Sequence, residues 1–506
     1  DDGDGDGFSQ GDEIFAYIPR TILNSSNLPK LVNPDYQHKF FVDNTPYVKK
    51  IDYWDEYEGK WISDYGETLL VGGFGKGGKG IFCLNVGGAT NGYFYSATFE
   101  YPPEPDDDMG YSYSKAYFAK TADPAVGWVV IFGNGYGSTN DEAVLYMIDI
   151  DNYGYITDAV FTNGVKKFKT GAAGCNGMSS PAIIDVEADG FVDYIYAGDL
   201  NGNLWKFDFN SEDHNDWGFA FMEGSSPKPM IKVTNYKAST TTVMNQPITV
   251  EPNVMRQLCD GGRPGYIVIF STGQFLSEED FTNDIASASQ TFYGIWDFQE
   301  AWYSENEFGV RTNKYGVEYT SLYYGTFNAD TGILDLPDSW DAIDWDGTMT
   351  EPITLLEQDA EFINDAFVDD TSENTDNLNS GWVILTDKLI SWLKTEDYNN
   401  NSKPDADTTD YGNDGIDNDA DGVSDADTIP DPDETSDDHV GWFFNQPQVG
   451  ARGIRNPLIY PGAGNNTGIG VFISSIPSES PCEAGGISWL YQIDMCDGGR
   501  TEDAQF

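Results

Sequence analysis

Four stretches of this chain share one grammar, and that grammar excludes most folds. TLLVGGFGKGGKGIFCLNV (68–86), GWVVIFGNGYGSTNDEAVLYMIDI (127–150), DYIYAGDLNGNLWKFDF (193–209) and GYIVIFSTGQF with TFYGIWDF (265–298) each join a short β-branched or aromatic run to a second run through a glycine-rich turn. In all but the first, the second run ends at Asp or Asp-Phe. Runs of this type are strands, and the turns between them are hairpins. The four starts fall 59, 66 and 72 residues apart, enough chain for a multi-stranded unit each time. Loose repetition at this period predicts an all-β propeller with decorated blades, the alternative being a two-sheet sandwich. A last unit is legible at LIYPGAGNNTGIGVFISSIP with SWLYQIDM (458–495), and CDGGR occurs twice, at 259–263 and 496–500.

Between these units the grammar breaks. The sequence divides into an acidic linker (1–12), the first propeller blades (13–298), an irregular acidic insertion (299–439) and a closing blade (440–506). Within the insertion, NNNSKPDADTTDYGNDGIDNDADGVSDADTIPDPDETSDD (399–438) has almost no apolar residue and no means of burying a core. Composition agrees with many short strands and turns: 14% aromatic residues, 55 glycines and 24 prolines. The 84 acidic and 27 basic residues give a net charge of −57, which opposes binding to nucleic acid or anionic membrane and favours cations. No apolar run approaches the roughly 18 residues of a membrane-spanning helix.

In so acidic a chain only spacing identifies a cation site. DVEADGFVD (185–193) has carboxylates at positions 1, 3, 5 and 9 and glycine at position 6. Calcium takes six to eight oxygens at about 2.3–2.6 Å, and a loop bent around it offers side chains from positions 1, 3 and 5 and a carbonyl from position 7. This makes Asp185, Glu187 and Asp189 side-chain ligands, Phe191 the carbonyl donor and Asp193 the ninth-position ligand; the alternative is a solvated acidic turn. Magnesium, which prefers a tight octahedron and keeps its waters, fits less well. The same spacing recurs at Asp417, Asp419, Asp421, Val423 and Asp425. On paper Asp2, Asp4, Asp6 and Glu13 satisfy the rule too, but an acidic linker is the better reading there because nothing precedes Asp2 to form an entering helix.

Other constellations carry less. GKGGKG (75–80) matches a phosphate-binding pattern, but a strand follows it, so a hairpin turn is expected. AGDLNGNLW (197–205) resembles the docking motif of quinoprotein propellers, one residue short between Gly and Trp, and no two cysteines are adjacent as quinone dehydrogenases of that class require. Three histidines, His38, His214 and His439, stand in unrelated contexts, and no catalytic arrangement emerges. The five cysteines include no CxxC; Cys482 and Cys496 flank an apparent hairpin and are the expected disulfide, the alternative being five buried thiols.

Several quoted stretches, joined by EIFAYIPRTILNSSNLPKL, YQHKFFVDNTPYV and GWFFNQPQVGARGIRNPLIY, resemble the C-terminal propeller of the PilY-type tip adhesins of bacterial type IV pili. The resemblance runs in order over 11–298 and 440–495. It implies a modified, quinoprotein-like, seven-bladed propeller with long acidic insertions, and a calcium loop at 185–193 in which Glu187 replaces a shorter Asp or Asn. It further implies an extracellular, non-enzymatic protein at the pilus tip, with minor pilins and a surface or host-cell ligand as partners and Ca2+ as its ion. Pilus biogenesis, retraction control and surface attachment would be its roles. A DxSxS element of the von Willebrand type A region that usually precedes the propeller does not occur. The alternatives are a secreted quinone-dependent oxidoreductase on the same fold and a structural extracellular filament subunit.

Overall fold

A computed structural model describes residues 15–501, apart from 56–59, 63–66, 88–95, 238–239, 260–264, 278–279, 281–287, 299–302, 306–310, 314–321, 343–352, 365–380, 387, 389, 391, 393–437, 462–467 and 478–485. The chain forms two compact units, Asp1–Leu200 with Trp205–Phe219, and Asn201–Leu204 with Ala220–Phe506. Strands dominate both, and the one α-helix among the described residues is the single turn Arg20–Leu23. None of the described helices is long and apolar enough to cross a membrane.

The first unit follows the repeat seen in the sequence. Its first sheet has the order Tyr47–Lys50, Thr68–Gly73, Ile81–Asn85, Ser96–Tyr101, and its second the order Val165–Ala173, Glu142–Ile150, Trp128–Gly133, Tyr117–Lys120. Both are antiparallel meanders with neighbours in sequence adjacent in space. In a third sheet Ala182–Ile184 pairs with Tyr194–Gly198, which neighbours Asn203–Asp208. Each meander is the blade type that the spacing of the glycine-rich turns predicts.

Strands with no polar alternation must be covered on both faces, and the second sheet is. Val129, Ile131, Leu145 and Met147 pack with Ile195, Ala197, Trp205 and Phe207 of the third sheet. Their neighbours in sequence, Val130, Phe132, Val144, Tyr146 and Ile148, pack with Leu69, Val71, Ile81 and Cys83 of the first. All of these side chains are buried, each contributing on the order of 1.5–3 kcal/mol of transfer free energy if large and aliphatic. The GKGGKG segment is a tight turn, Gly75–Gly77 in 3-10 geometry, followed by the strand Ile81–Asn85 as expected. Gly77 is required there: a Cβ would lie 1.9 Å from the Phe41 carbonyl oxygen.

One polar network ties these sheets' edges. Lys167 Nζ donates to Asp106 Oδ1 at 2.7 Å and to Asp108 Oδ2 at 3.0 Å, and Lys169 Nζ donates to Asp108 Oδ1 at 2.7 Å. The hydroxyls of Tyr101 and Tyr146 donate to Asp106 Oδ2 at 3.1 and 3.0 Å, and Asn140 Nδ2 donates to Asp108 at 2.7 Å. Burial alone would raise both carboxyls, but the lysine, amide and hydroxyl donors outweigh it, lowering Asp106 and holding Asp108 at about 2.

In the second unit, Ile231–Tyr236 pairs antiparallel with Val243–Asn245 and parallel with Thr326–Asn328, which pairs with Ile333–Asp335. A five-stranded sheet has the order Asn253–Arg256, Tyr266–Ser271, Thr291–Asp297, Asp438–Asn445, Ile353–Glu357, the last pair parallel. Gly468–Ile476 pairs with Leu458–Pro461 and Ile487–Asp494 as the expected last unit. Part of the stretch expected to be irregular therefore supplies strands: Ile353, Leu355 and Leu356 are buried, and their apolar side chains explain their place in a sheet. Aromatic rings fill this core, Phe292 lying 4.6 Å from Phe472 and 5.2 Å from Tyr491 between centroids. Gly294 leaves room for the Trp442 indole, which a Cβ there would approach to 2.3 Å.

The disulfide differs from the expectation. Cys496 is bonded to Cys259, and Cys482 lies outside the described residues. The sheet rather than the local hairpin decides the pairing: the two Cα atoms stand 5.6 Å apart although 237 residues separate them in sequence. Each bonded cysteine opens one of the two CDGGR segments. Of the other described cysteines, Cys83 is buried and its thiol is pushed up to about 12 by that burial, while Cys175 is exposed.

These contacts give three expected outcomes. Lys167→Met should lower the unfolding free energy in denaturant melts by about 1–2 kcal/mol, because Asp106 loses its lysine and keeps only neutral donors while Asp108 keeps Lys169 and Asn140. Because those carboxyls are depressed, their contribution is present above the ordinary 3.8 and disappears as pH falls toward 2, so the variant should lose less stability on acidification than the parent. Replacing Cys259 and Cys496 together by serine should cost up to roughly 5 kcal/mol through the long closed loop. Cys482→Ser should leave the non-reducing peptide map with its 259–496 crosslink.

Candidate metal centre

The loop 185–193 connects two antiparallel strands, Ala182–Ile184 and Tyr194–Gly198, and the hairpin carries on into it: the Asp193 N–H donates to the Ile184 carbonyl at 2.9 Å. The aspartates bend the loop. Asp185 accepts the Asp189 N–H on Oδ1 at 3.1 Å and the Gly190 N–H on Oδ2 at 2.7 Å, and Asp189 Oδ1 accepts the Phe191 N–H at 2.9 Å. Gly190 has φ +94°, the left-handed region in which glycine is at ease, which is why position 6 is glycine. The far end is pinned to the second sheet: the Val192 N–H donates to the Lys120 carbonyl at 2.8 Å, and Lys120 Nζ sits 5.0 Å from the centre of the Phe191 ring.

Charge is unevenly distributed here. Asp185, Glu187 and Asp189 are exposed, whereas Asp193 is only 5% exposed. Burial pushes the Asp193 carboxyl up to about 6; the Val186 N–H, donating to Oδ2 at 2.6 Å, opposes this, and the charges of Glu187, Asp189 and Asp185 add to it. All four carboxylates of the spacing rule are thus electrostatic neighbours, and the buried one carries the strain. Carboxylate oxygens with surplus negative charge around a glycine bend are the kind of donor set that a hard divalent cation takes. Of the other expected sites, 417–425 (Asp417, Asp419, Asp421, Val423, Asp425) and 2–13 (Asp2, Asp4, Asp6, Glu13) lie outside the described residues.

Sequence reasoning missed a second cluster, Asp123, Asp213 and His214, whose ligand atoms lie within 4.8 Å of one another. Ninety residues separate its halves, and no local pattern announces it. His214 Nδ1 is 2.7 Å from Asp123 Oδ2, the His214 N–H donates to the same oxygen at 3.1 Å, and the Ala125 N–H donates to Oδ1 at 2.8 Å. Burial opposes the charge on Asp123, but the His214 and Ala125 donors outweigh it and lower its carboxyl. The cluster could hold a metal, yet its buried acid is already satisfied. The quinoprotein-like motif also has a structural explanation: Asp199 Oδ2 accepts the Trp205 indole N–H at 2.9 Å and the Asn176 amide at 3.0 Å.

The raised carboxyl gives a signed pH effect. Folding favours the protonated Asp193, so at neutral pH its ionised form costs stability, and that cost fades as pH falls from about 6 toward the ordinary 3.8. In chelator at pH 7.5, Asp193→Asn should therefore raise the unfolding free energy by on the order of 2 kcal/mol, with no gain left below pH 4.

Comparison with known proteins agrees with the propeller repeat. Residues 1–312 match the family described as the PilY1 beta-propeller domain. A type IV pilus biogenesis factor PilY1 homolog of Xylella fastidiosa is 35% identical over 292 residues, 57% of this chain and 18% of the relative. The type IV pilus biogenesis factor PilY1 of Pseudomonas aeruginosa is 35% identical over 310 residues, 58% of this chain and 24% of the relative. The matched region thus spans between 18% and 24% of these relatives' length. The crystal structure of the Pseudomonas aeruginosa PilY1 C-terminal domain superposes with a TM-score of 0.57 over 98% of this chain and 77% of that one, at 24% identity, and shares the fold. The chain is an all-β propeller and belongs to the PilY1 β-propeller domain family.

Proposed function

We propose that this chain is the calcium-binding propeller of a type IV pilus biogenesis factor, acting outside the cell at the pilus tip as a non-enzymatic adhesin and assembly factor. The observation that carries the reading is the loop 185–193, where a buried carboxylate is crowded by three others on a hairpin of a PilY1-family propeller. A divalent cation bound by Asp185, Glu187, Asp189 and Asp193 would neutralise that crowding and fix the hairpin end. The loop's fastening to Lys120 then extends that order to the neighbouring sheet. We assign the fixed surface to minor pilins or to a surface ligand, and through it the control of retraction and attachment. The seven-bladed closure and the boundary of the acidic insertion at 299–439 belong to the same proposal, as does a second calcium loop at 417–425.

Calcium titration of the purified chain tests the reading. Asp185→Ala with Asp189→Ala should weaken binding at this loop at least tenfold and remove most of the calcium-dependent rise in melting temperature. Piliated cells carrying the double variant in the full-length protein should attach to surfaces no better in calcium than in chelator. Unchanged affinity would remove the metal from the proposal; unchanged attachment with lost affinity would remove the adhesive role alone.

A further inference from the structure

The second sheet holds an acid that neither the loop 185–193 nor the packing explains. Asp149 stands one residue from the end of the strand Glu142–Ile150, opposite Val129, and is 0% exposed. Among the described residues, no donor reaches either of its carboxylate oxygens. An ionised carboxylate in that position, unpaired and without hydrogen bonds, is strongly unfavourable. The rest of the unit shows what a satisfied acid looks like, since Asp106 and Asp108 are each met by lysine and side-chain donors.

A second acid lies beside it. Strand alternation places Asp151 on the same side, and its charge is close enough to raise the Asp149 carboxyl further after burial has raised it, to about 7 together. Asp151 is only half-buried and opens a turn that its own side chain organises: Oδ1 accepts the N–H groups of Tyr153 and Tyr155, both at 2.9 Å. Gly154 in this turn has φ +86°, and the Thr157 N–H returns to the Asp149 carbonyl at 3.0 Å. Counted from Asp149, the stretch has carboxylates at positions 1 and 3, glycine at 6 and a threonine hydroxyl at 9, the spacing of 185–193 with fewer charges.

We propose that Asp149 and Asp151 form a further binding site for a hard divalent cation of the calcium class, separate from the loop 185–193. The buried acid supplies up to two oxygens, Asp151 supplies a third from the half-exposed side, and water completes the shell. With only two carboxylates the affinity falls in the weak range, roughly 10⁻⁴–10⁻³ M.

The test uses the full chain carrying Asp185→Ala and Asp193→Ala, so that the other loop does not contribute, and compares it with the same chain carrying Asp149→Asn in addition. Melting in millimolar calcium and in chelator is measured for both, and crystals soaked in Mn2+ are examined for anomalous density. The expected result is a calcium-dependent rise in melting temperature that the added Asp149→Asn removes, with density between Asp149 and Asp151 in the parent. In chelator at neutral pH the Asn variant should melt higher than its parent, which shows that it folds. Equal calcium shifts in the two proteins, or no density at Asp149, would overturn the site and leave Asp149 a buried acid that takes up a proton. Failure of the 185–193 loop reads differently: wild type and the Asp185→Ala, Asp193→Ala chain would then respond alike, whatever Asp149→Asn does.

Discussion

Burial of the second sheet on both faces is the constraint from which the first unit follows. Once the strands Trp128–Gly133 and Glu142–Ile150 present apolar side chains to both sides, a sheet must stand on each side of them. That requirement turns a run of meanders into stacked blades, and it sets the turns that close them. It also accounts for where polar chemistry survives: at the strand ends and connecting loops, where Asp106, Asp108, Asp193 and Asp149 lie. Asp108, Asp193 and Asp149 are buried there, and Asp106 is partly buried.

The fates of these acids differ for one physical reason, the supply of donors. Asp106 and Asp108 receive lysine, tyrosine and asparagine donors and are held ionised. Asp193 receives one backbone N–H and three like charges, and is raised. Asp149 receives none from the described residues. In a chain with 84 acids and 27 bases most carboxylates have no side-chain cation to pair with, so ions from solution are the remaining partner of the right sign.

Much of this was legible in the sequence because it is local. Strands such as WVVIFG and turns such as GKGGKG are set by residues within ten positions of one another, and the structure places them as the pattern suggests; DVEADGFVD forms the connecting loop of a hairpin, bent at Gly190. What was not legible depends on contacts over long separations. His214 meets Asp123 only because two loops of different sheets converge, and Cys496 meets Cys259 across 237 residues. The duplicated CDGGR was the one sequence hint of that bond, and hairpin adjacency pointed instead to Cys482. The strand Ile353–Glu357 was hidden by its acidic neighbours, although four of the five positions of ITLLE are buried.

The Cys259–Cys496 bond also governs how this chain responds to being pulled. Tension applied at residues 1 and 506 passes from Cys259 to Cys496 through the sulfur bridge and bypasses the 237-residue span between them. At roughly 3.4 Å per residue that span would otherwise release about 800 Å of extended chain. The aromatic core around Phe292, Phe472 and Tyr491 lies inside the bypassed segment and is shielded from the load as long as the bridge is oxidised. Redox state, rather than packing, therefore sets how far the second unit can be drawn out by force.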